Sequence, residues 1–330
     1  MTDSIGKLGK TGFEISEISL GTWQVGGVWG DNFSHENASK ILHSAIDSGI
    51  NFIDTADVYG DGESEKAVGR FVKSRSERIY VATKCGRQLN PHVNEAYQPA
   101  VLRKFVEASL TNMGLETLDL IQLHCPPTEV YYRPEIFELF DRLKDEGKIL
   151  NLGISVEKVE EALKGIEYDN VTTVQIIFNT FRQRPAELFF EQAKKKDIGV
   201  IVRVPLASGL LTGKFSKEST FTAGDHRNFN RNGEMFDKGE TFSGIDYETG
   251  LAAVEELKAL FPNQQNLASV ALKWILGFDA VSTIIPGASR PEQVSANVAA
   301  LDFPDLSAEQ ISQMNSIYEK HIKPLVHHLW

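Results

Sequence analysis

Four polar side chains close apolar runs in a pattern that suits proton transfer. Asp54 ends Asn51-Phe52-Ile53-Asp54 and Tyr59 follows it. Lys84 ends Val81-Ala82-Thr83-Lys84, and His124 ends Leu120-Ile121-Gln122-Leu123-His124. Each has an ordinary reading when taken alone: a turn acceptor, a half-buried aromatic, a solvated charge, a hydrogen-bonded core histidine. Gathered on one face they compose a site. A phenol ionises near 10, and an ammonium within about 4–6 Å favours phenolate and lowers that value toward the working range. An adjacent carboxylate holds the ammonium, and an imidazole can orient a substrate carbonyl beside the phenol, leaving Tyr59 as proton donor.

For the four to meet, the elements that carry them must bring their ends together. Short runs rich in Ile, Val and Leu fall at 18–21, 51–54, 79–83, 118–123, 150–154, 174–177, 200–204 and 282–285, which makes eight strands. Between them lie segments with apolar residues every three or four positions. One carries Ala38, Ile41, Leu42 and Ala45 and is capped by Gly49; others cover 63–72, the stretch with Leu102, Phe105, Val106 and Leu110, 135–146, 157–164, 186–196, 246–260, 267–276 and 291–300. Eight alternating units predict a (β/α)8 TIM barrel, α/β in class, in one domain over 1–330. A doubly wound sheet is the alternative, but Gly-x-Gly-x-x-Gly does not follow the first strand. Residues 5–16 read as an N-terminal β-hairpin capping the barrel bottom. The stretch 205–245 is long enough to be a lid or binding loop. An additional C-terminal helix and tail span 307–330, where the tail either docks on the barrel mouth or stays disordered.

Composition narrows the partners. The 34 Lys+Arg against 45 Asp+Glu give a net charge of -11 with no basic cluster, which argues against nucleic acid and anionic membranes. No window approaches the roughly 18 apolar residues of a membrane span. Two cysteines, Cys85 and Cys125, are too few for a disulfide framework, and Met1-Thr2-Asp3-Ser4 is no leader, so the simplest address is a reducing cytoplasm. Both cysteines read as small buried hydrophobes rather than a redox switch. No metal is expected, and a monomer or small homo-oligomer fits.

The run Gly49-Ile50-Asn51-Phe52-Ile53-Asp54-Thr55-Ala56-Asp57-Val58-Tyr59-Gly60 resembles the signature of the aldo-keto reductases, in the bacterial type related to the potassium-channel β subunits. The resemblance spans nearly the whole chain: Gly21-Thr22-Trp23, Gly153-Ile154-Ser155, Gln175, Pro205 to Lys214, Ile285-Pro286-Gly287-Ala288-Ser289-Arg290-Pro291-Glu292-Gln293-Val294 and Asn297. It implies a catalytic tetrad of Asp54, Tyr59, Lys84 and His124, and Ser155 and Gln175 on a nicotinamide carboxamide. It also implies a pyrophosphate-covering loop of Pro205, Leu206, Ser208, Gly209, Leu211 and Lys214, whose glycines let the backbone approach closely. Ser289 and Arg290 match a 2′-phosphate site where a guanidinium and a helix N-terminus suit phosphate, so NADP(H) is expected. Pro286, Gly287, Gln293 and Asn297, with Gly21, Thr22, Trp23 and Arg203, complete the implied cofactor contacts.

Two departures stand out. Relatives commonly have Ser-Asn where this chain has Ser155-Val156, and often an aromatic residue stacked on nicotinamide where Arg203 stands. Trp23, Trp29, Tyr59, His124, Phe178 and, if the tail docks, Trp330 are expected around the substrate, an aldehyde, ketone, sugar or polyol. Two other functions compete: an NADP(H)-binding regulatory subunit with little turnover, and a barrel isomerase or aldolase with Lys84 as Schiff-base nucleophile.

Overall fold

Strands buried on both faces need continuous apolar runs, and these runs form a barrel. The computed structural model describes residues 4–27 and 31–330. A two-stranded antiparallel hairpin comes first, β1 (Ile5–Lys7) and β2 (Glu14–Ser16). The chain then alternates: β3 (Leu20–Gly21), α1 (His35–Asp47), β4 (Phe52–Asp54), α2 (Glu63–Lys73), β5 (Tyr80–Cys85), α3 (Pro99–Met113), β6 (Leu118–His124), α4 (Pro134–Asp145), β7 (Ile149–Ser155), α5 (Val159–Gly165), β8 (Val171–Ile177), α6 (Phe189–Lys195) and β9 (Gly199–Arg203). A long connection carries only the one-turn helix α7 (His226–Phe229) and short 3-10 turns. It leads to α8 (Tyr247–Leu260), α9 (Ala268–Leu276), β10 (Val281–Ile284), α10 (Pro291–Val298), α11 (Ala308–His321) and α12 (Lys323–Val326).

The eight strands β3 to β10 pair in parallel in sequence order. The ring closes where the first meets the last: Ser19 N donates to Ile284 O at 2.8 Å, and Gly21 N to Pro286 O at 3.1 Å. Gly21 belongs to that seam, since a Cβ there would sit 2.8 Å from Ile285 O. The helices start where local chemistry favours it. Ser34 caps α1 by accepting from Asn37 N, and α3, α4 and α10 each begin with proline at the first turn. The buried face of α1 is Ala38, Ile41, Leu42 and Ala45, as its periodicity predicts. Its capping residue is Ser48, with Gly49 following at φ 91°.

Pleating sorts the side chains into two layers. The positions 52, 82, 120 and 201 turn inward and pack with Leu8 and Ile15 of the hairpin, which plugs the barrel bottom. Two residues further along each strand the inward position becomes polar: Asp54, Lys84, Gln122 and Arg203. The alternate positions pack outward beneath the helices. The tail docks: Trp330 is buried, with its ring on the Arg182 guanidinium at 4.2 Å. Among the described residues no helix is long and apolar enough to cross a membrane.

Candidate active site

Asp54, Lys84 and His124 stand at the C-terminal ends of the adjacent strands β4, β5 and β6, and Tyr59 lies in the loop after β4. Asp54 and Lys84 are almost fully buried and joined, Lys84 Nζ donating to Asp54 Oδ2 at 2.5 Å. The same ammonium donates to Thr55 O at 3.0 Å and to Tyr59 Oη at 3.3 Å. A buried pair of this kind holds only when its remaining valences are met. They are: Asp54 Oδ1 accepts from Gln122 Nε2 at 3.0 Å and Gln175 Nε2 at 2.8 Å. The rings of Tyr59 and His124 meet nearly edge to face, 6.2 Å between centroids.

The electrostatics correct one expectation. Lys84 does pull the Tyr59 phenol down, but burial outweighs it and raises the phenol above its ordinary value of 10.0. Taking the anion out of water costs more than one ammonium, itself shared with Asp54, returns. Tyr59 is therefore a protonated donor at neutral pH. Burial, with Arg87, Lys84 and Arg203 nearby, holds His124 well below the ordinary histidine range, so its imidazole is neutral. Its Nδ1 is buried without a partner.

Around this centre Arg203, named from the sequence, meets three charged groups that sequence reasoning missed, Arg87, Glu157 and Glu240. Arg203 contacts Glu240 at 3.3 Å, Cys125 Sγ at 3.5 Å and Val156 O at 3.2 Å, and Arg87 contacts Glu157 at 3.5 Å and Glu240 at 3.8 Å. Burial and the neighbouring Glu240 and Asp237 push Glu157 up to about 7. Cys125 Sγ and the two carboxylates lie within 4.8 Å of one another, and the cations beside them are these arginines. Burial pushes the Cys125 thiol up to about 11, which keeps it unreactive. Val156 faces the outer core and offers the pocket only its carbonyl.

The other expected residues divide. Trp23 packs on His226 at 4.9 Å and on Phe236 at 6.2 Å, both from the long loop, and so stands at the mouth. Phe178 does not. It follows β8 in the outward phase, opposite to Gln175, and packs against Phe190, Trp274 and Phe278 beneath the helices. Trp29 lies outside the described residues. Thr22 is buried with its hydroxyl donated to Asp54 O at 2.9 Å, and Ser155 is buried at the end of β7.

Pro205 is buried after β9, and Leu206 packs against the core beside it. Ser208 ties the long loop together, its Oγ donating to Glu240 O at 3.0 Å. Gly209 and Gly213 flank the turn Leu210–Thr212 in the left-handed region, while Leu211 points into the core and leaves only its backbone to a ligand. At the start of α10, Ser289 N and Oγ donate to Gln293 Oε1 at 2.7 and 3.1 Å; Gly287 is exposed and Asn297 buried. Among the described residues, neither exposed cation, Lys214 or Arg290, has an acidic partner.

This arrangement has counterparts. The aldo/keto reductase family model matches residues 17–319. The oxidoreductase YqkF of Bacillus subtilis is 30% identical over 323 residues, 96% of this chain and 98% of its own. The NADH-specific methylglyoxal reductase of Escherichia coli is 28% identical, covering 94% and 97%. Among solved structures, the glycerol dehydrogenase AKR11B4 of Gluconobacter oxydans superposes with a TM-score of 0.78 at 30% identity, covering 98% and 97%. A family match across most of the chain, on an eight-stranded barrel with this cluster at its mouth, means that the chain belongs to the aldo/keto reductase family.

Proposed function

We propose that this oxidoreductase interconverts an aldehyde or ketone and its alcohol, sugars and polyols included, with NADP(H) and with Tyr59 as general acid and base. The observation that carries the reading is the unbroken contact from Asp54 through Lys84 to Tyr59 beside a neutral His124. The residues fit a nicotinamide cofactor. Gln175 spends its amide hydrogens on Asp54 and Gln122 and keeps its carbonyl oxygen free for a carboxamide. The nicotinamide supplies or accepts the hydride at C4.

The chain's own groups handle the rest. His124 orients the carbonyl oxygen, and Tyr59 donates its proton to that oxygen as charge develops. Lys84 limits the cost of the phenolate that forms, and Asp54 keeps Lys84 in place. Arg290 and Lys214, cations without an acidic partner among the described residues, support the phosphate contacts and hence NADP(H), with Ser289 beside Arg290. The NADH-specific relative makes that choice a matter for measurement. The partner is a small molecule rather than nucleic acid, acted on by all 330 residues as one domain.

Replacing Tyr59 by Phe removes only the proton donor. kcat should fall about 10²–10⁴-fold with the cofactor dissociation constant unchanged. Full turnover in that variant on a good carbonyl substrate would overturn the assignment. Arg290→Ala should weaken NADPH and leave NADH unaffected; an unchanged NADPH constant would remove Arg290 from the 2′-phosphate site.

A further inference from the structure

Gln122, fully buried on β6, lies between Asp54 and Gln175 and touches neither Tyr59 nor His124 by any hydrogen bond of the described residues. Its bonds have one consistent direction. A carboxylate only accepts, so both glutamines must turn their amide nitrogens toward Asp54 Oδ1. Gln122 Nε2 donates there at 3.0 Å and also faces Thr83 O at 3.4 Å, while its Oε1 accepts from Gln175 Nε2 at 2.9 Å. Gln175 Nε2 also donates to Asp54 at 2.8 Å, so both its hydrogens are used. A flipped Gln122 would set its oxygen against the carboxylate and its nitrogen against that of Gln175. Gly153 leaves room for the stem, since a Cβ there would lie 3.2 Å from Gln122 Cγ.

We propose that Gln122 is a positioning residue that locks the side-chain amide of Gln175 with its oxygen toward the pocket, so that the site accepts a hydrogen bond from the NH2 of a nicotinamide carboxamide. This rests on the nicotinamide reading given above. Asp54 thereby has two tasks. Oδ2 anchors the proton-transfer lysine, and Oδ1, through two amides, sets the polarity of the cofactor contact. The consequence is that the ring of the cofactor, and not its adenosine or phosphates, depends on Gln122.

The test compares NADP+ with 2′-phospho-ADP-ribose, which lacks the nicotinamide, by calorimetric titration of the whole protein. Gln122→Met keeps the length of the side chain without donor or acceptor. It should weaken NADP+ about tenfold, the loss of one to two hydrogen bonds, and leave 2′-phospho-ADP-ribose within about twofold. Equal losses for the two ligands, or none, would overturn the proposal.

Gln122→Glu gives a readout that a packing role would not move. While protonated, the carboxyl that this substitution introduces still donates to Asp54 and accepts from Gln175; once ionised, it faces the Asp54 carboxylate as a like charge. NADP+ affinity in this variant should therefore fall as pH rises from 6 to 9 more steeply than in the unsubstituted protein, and parallel profiles count against the lock. Unsubstituted protein that binds the two ligands equally, or neither, would instead defeat the nicotinamide reading itself.

Discussion

Asp57 has a carboxyl placed where ionisation is costly. It is buried, Oδ2 accepts from Gln88 Nε2 at 2.6 Å, and Oδ1 has no partner. Burial first, and Glu65 nearby, push it from the ordinary 3.8 up to about 7, against the pull of the Gln88 hydrogen bond and of Lys84. A carboxyl raised on folding lowers stability as pH climbs from the unfolded value to the folded one, because only the unfolded chain ionises there; above about pH 7 the penalty is constant. Asp57→Asn keeps the shape and removes the charge. At pH 8 it should raise the unfolding free energy by up to about 4 kcal/mol, and at pH 5 by less than half of that. Urea titrations at both pH values check this, and a pH-independent difference would contradict it. Catalysis should change little: Lys84 is the weakest of the groups that act on the Asp57 carboxyl, and the hydrogen bond between the two residues, Asp57 N–H to Lys84 O at 3.3 Å, is through the backbone that the substitution keeps.

Among elements, the hairpin shows how tightly the barrel bottom is sealed. Leu8 is fully buried against the inner layer, and Lys10 N donates to Asp197 O at 2.7 Å. Gly9 makes the approach at φ 47°, with backbone atoms of residues 197–199 where a side chain would begin: a Cβ would lie 2.2 Å from Gly199 N. Left-handed strain and overpacking add, so Gly9→Ala should destabilise by roughly 2–5 kcal/mol in thermal unfolding. The hairpin lies at the end opposite the candidate site, so kcat and KM of the folded fraction should stay as they were. A loss of activity without a loss of stability would reverse this assignment of roles.

The same elements explain what the sequence allowed. All eight strands were legible because strands covered on both faces leave runs such as Leu118 to Leu123. Asp54, Lys84 and His124 were legible because each interrupts such a run at its end, and Tyr59 because it follows Asp54 in the next loop. Phe178 was misread because an aromatic beside a strand end was taken as mouth-lining without following the pleat from Gln175. Gln122 carried a usable signal, a polar residue two positions before His124 and hence in the same inward phase. Arg87 and Glu240 carried none: they sit in irregular connections with no period, and only the closed barrel brings them near Arg203.

At the scale of the whole molecule, segments far apart in the chain meet over the mouth. Trp330 is buried on Arg182, and Arg184 Nη1 donates to Trp330 O at 2.5 Å. The ring fits against two glycines of the long loop, where added Cβ atoms would come within 2.8 Å at Gly239 and 2.7 Å at Gly244. Between those glycines the chain presents Glu240, whose carboxylate reaches Arg203 and Arg87 beside the candidate centre. Trp330 thus braces the segment that sets the charge balance of the mouth, though the two lie far apart in the sequence. Trp330→Ala leaves a hole that costs about 3–5 kcal/mol where the surroundings do not collapse, and that cost falls on the loop it supports. Amide exchange across 237–244 should quicken at least tenfold while the barrel strands keep their protection. KM for the carbonyl substrate should rise with kcat less affected, because Asp54, Lys84 and Tyr59 hold one another from β4, β5 and the loop after β4. Exchange in 237–244 that matches the unsubstituted protein would show that the loop stands without this brace.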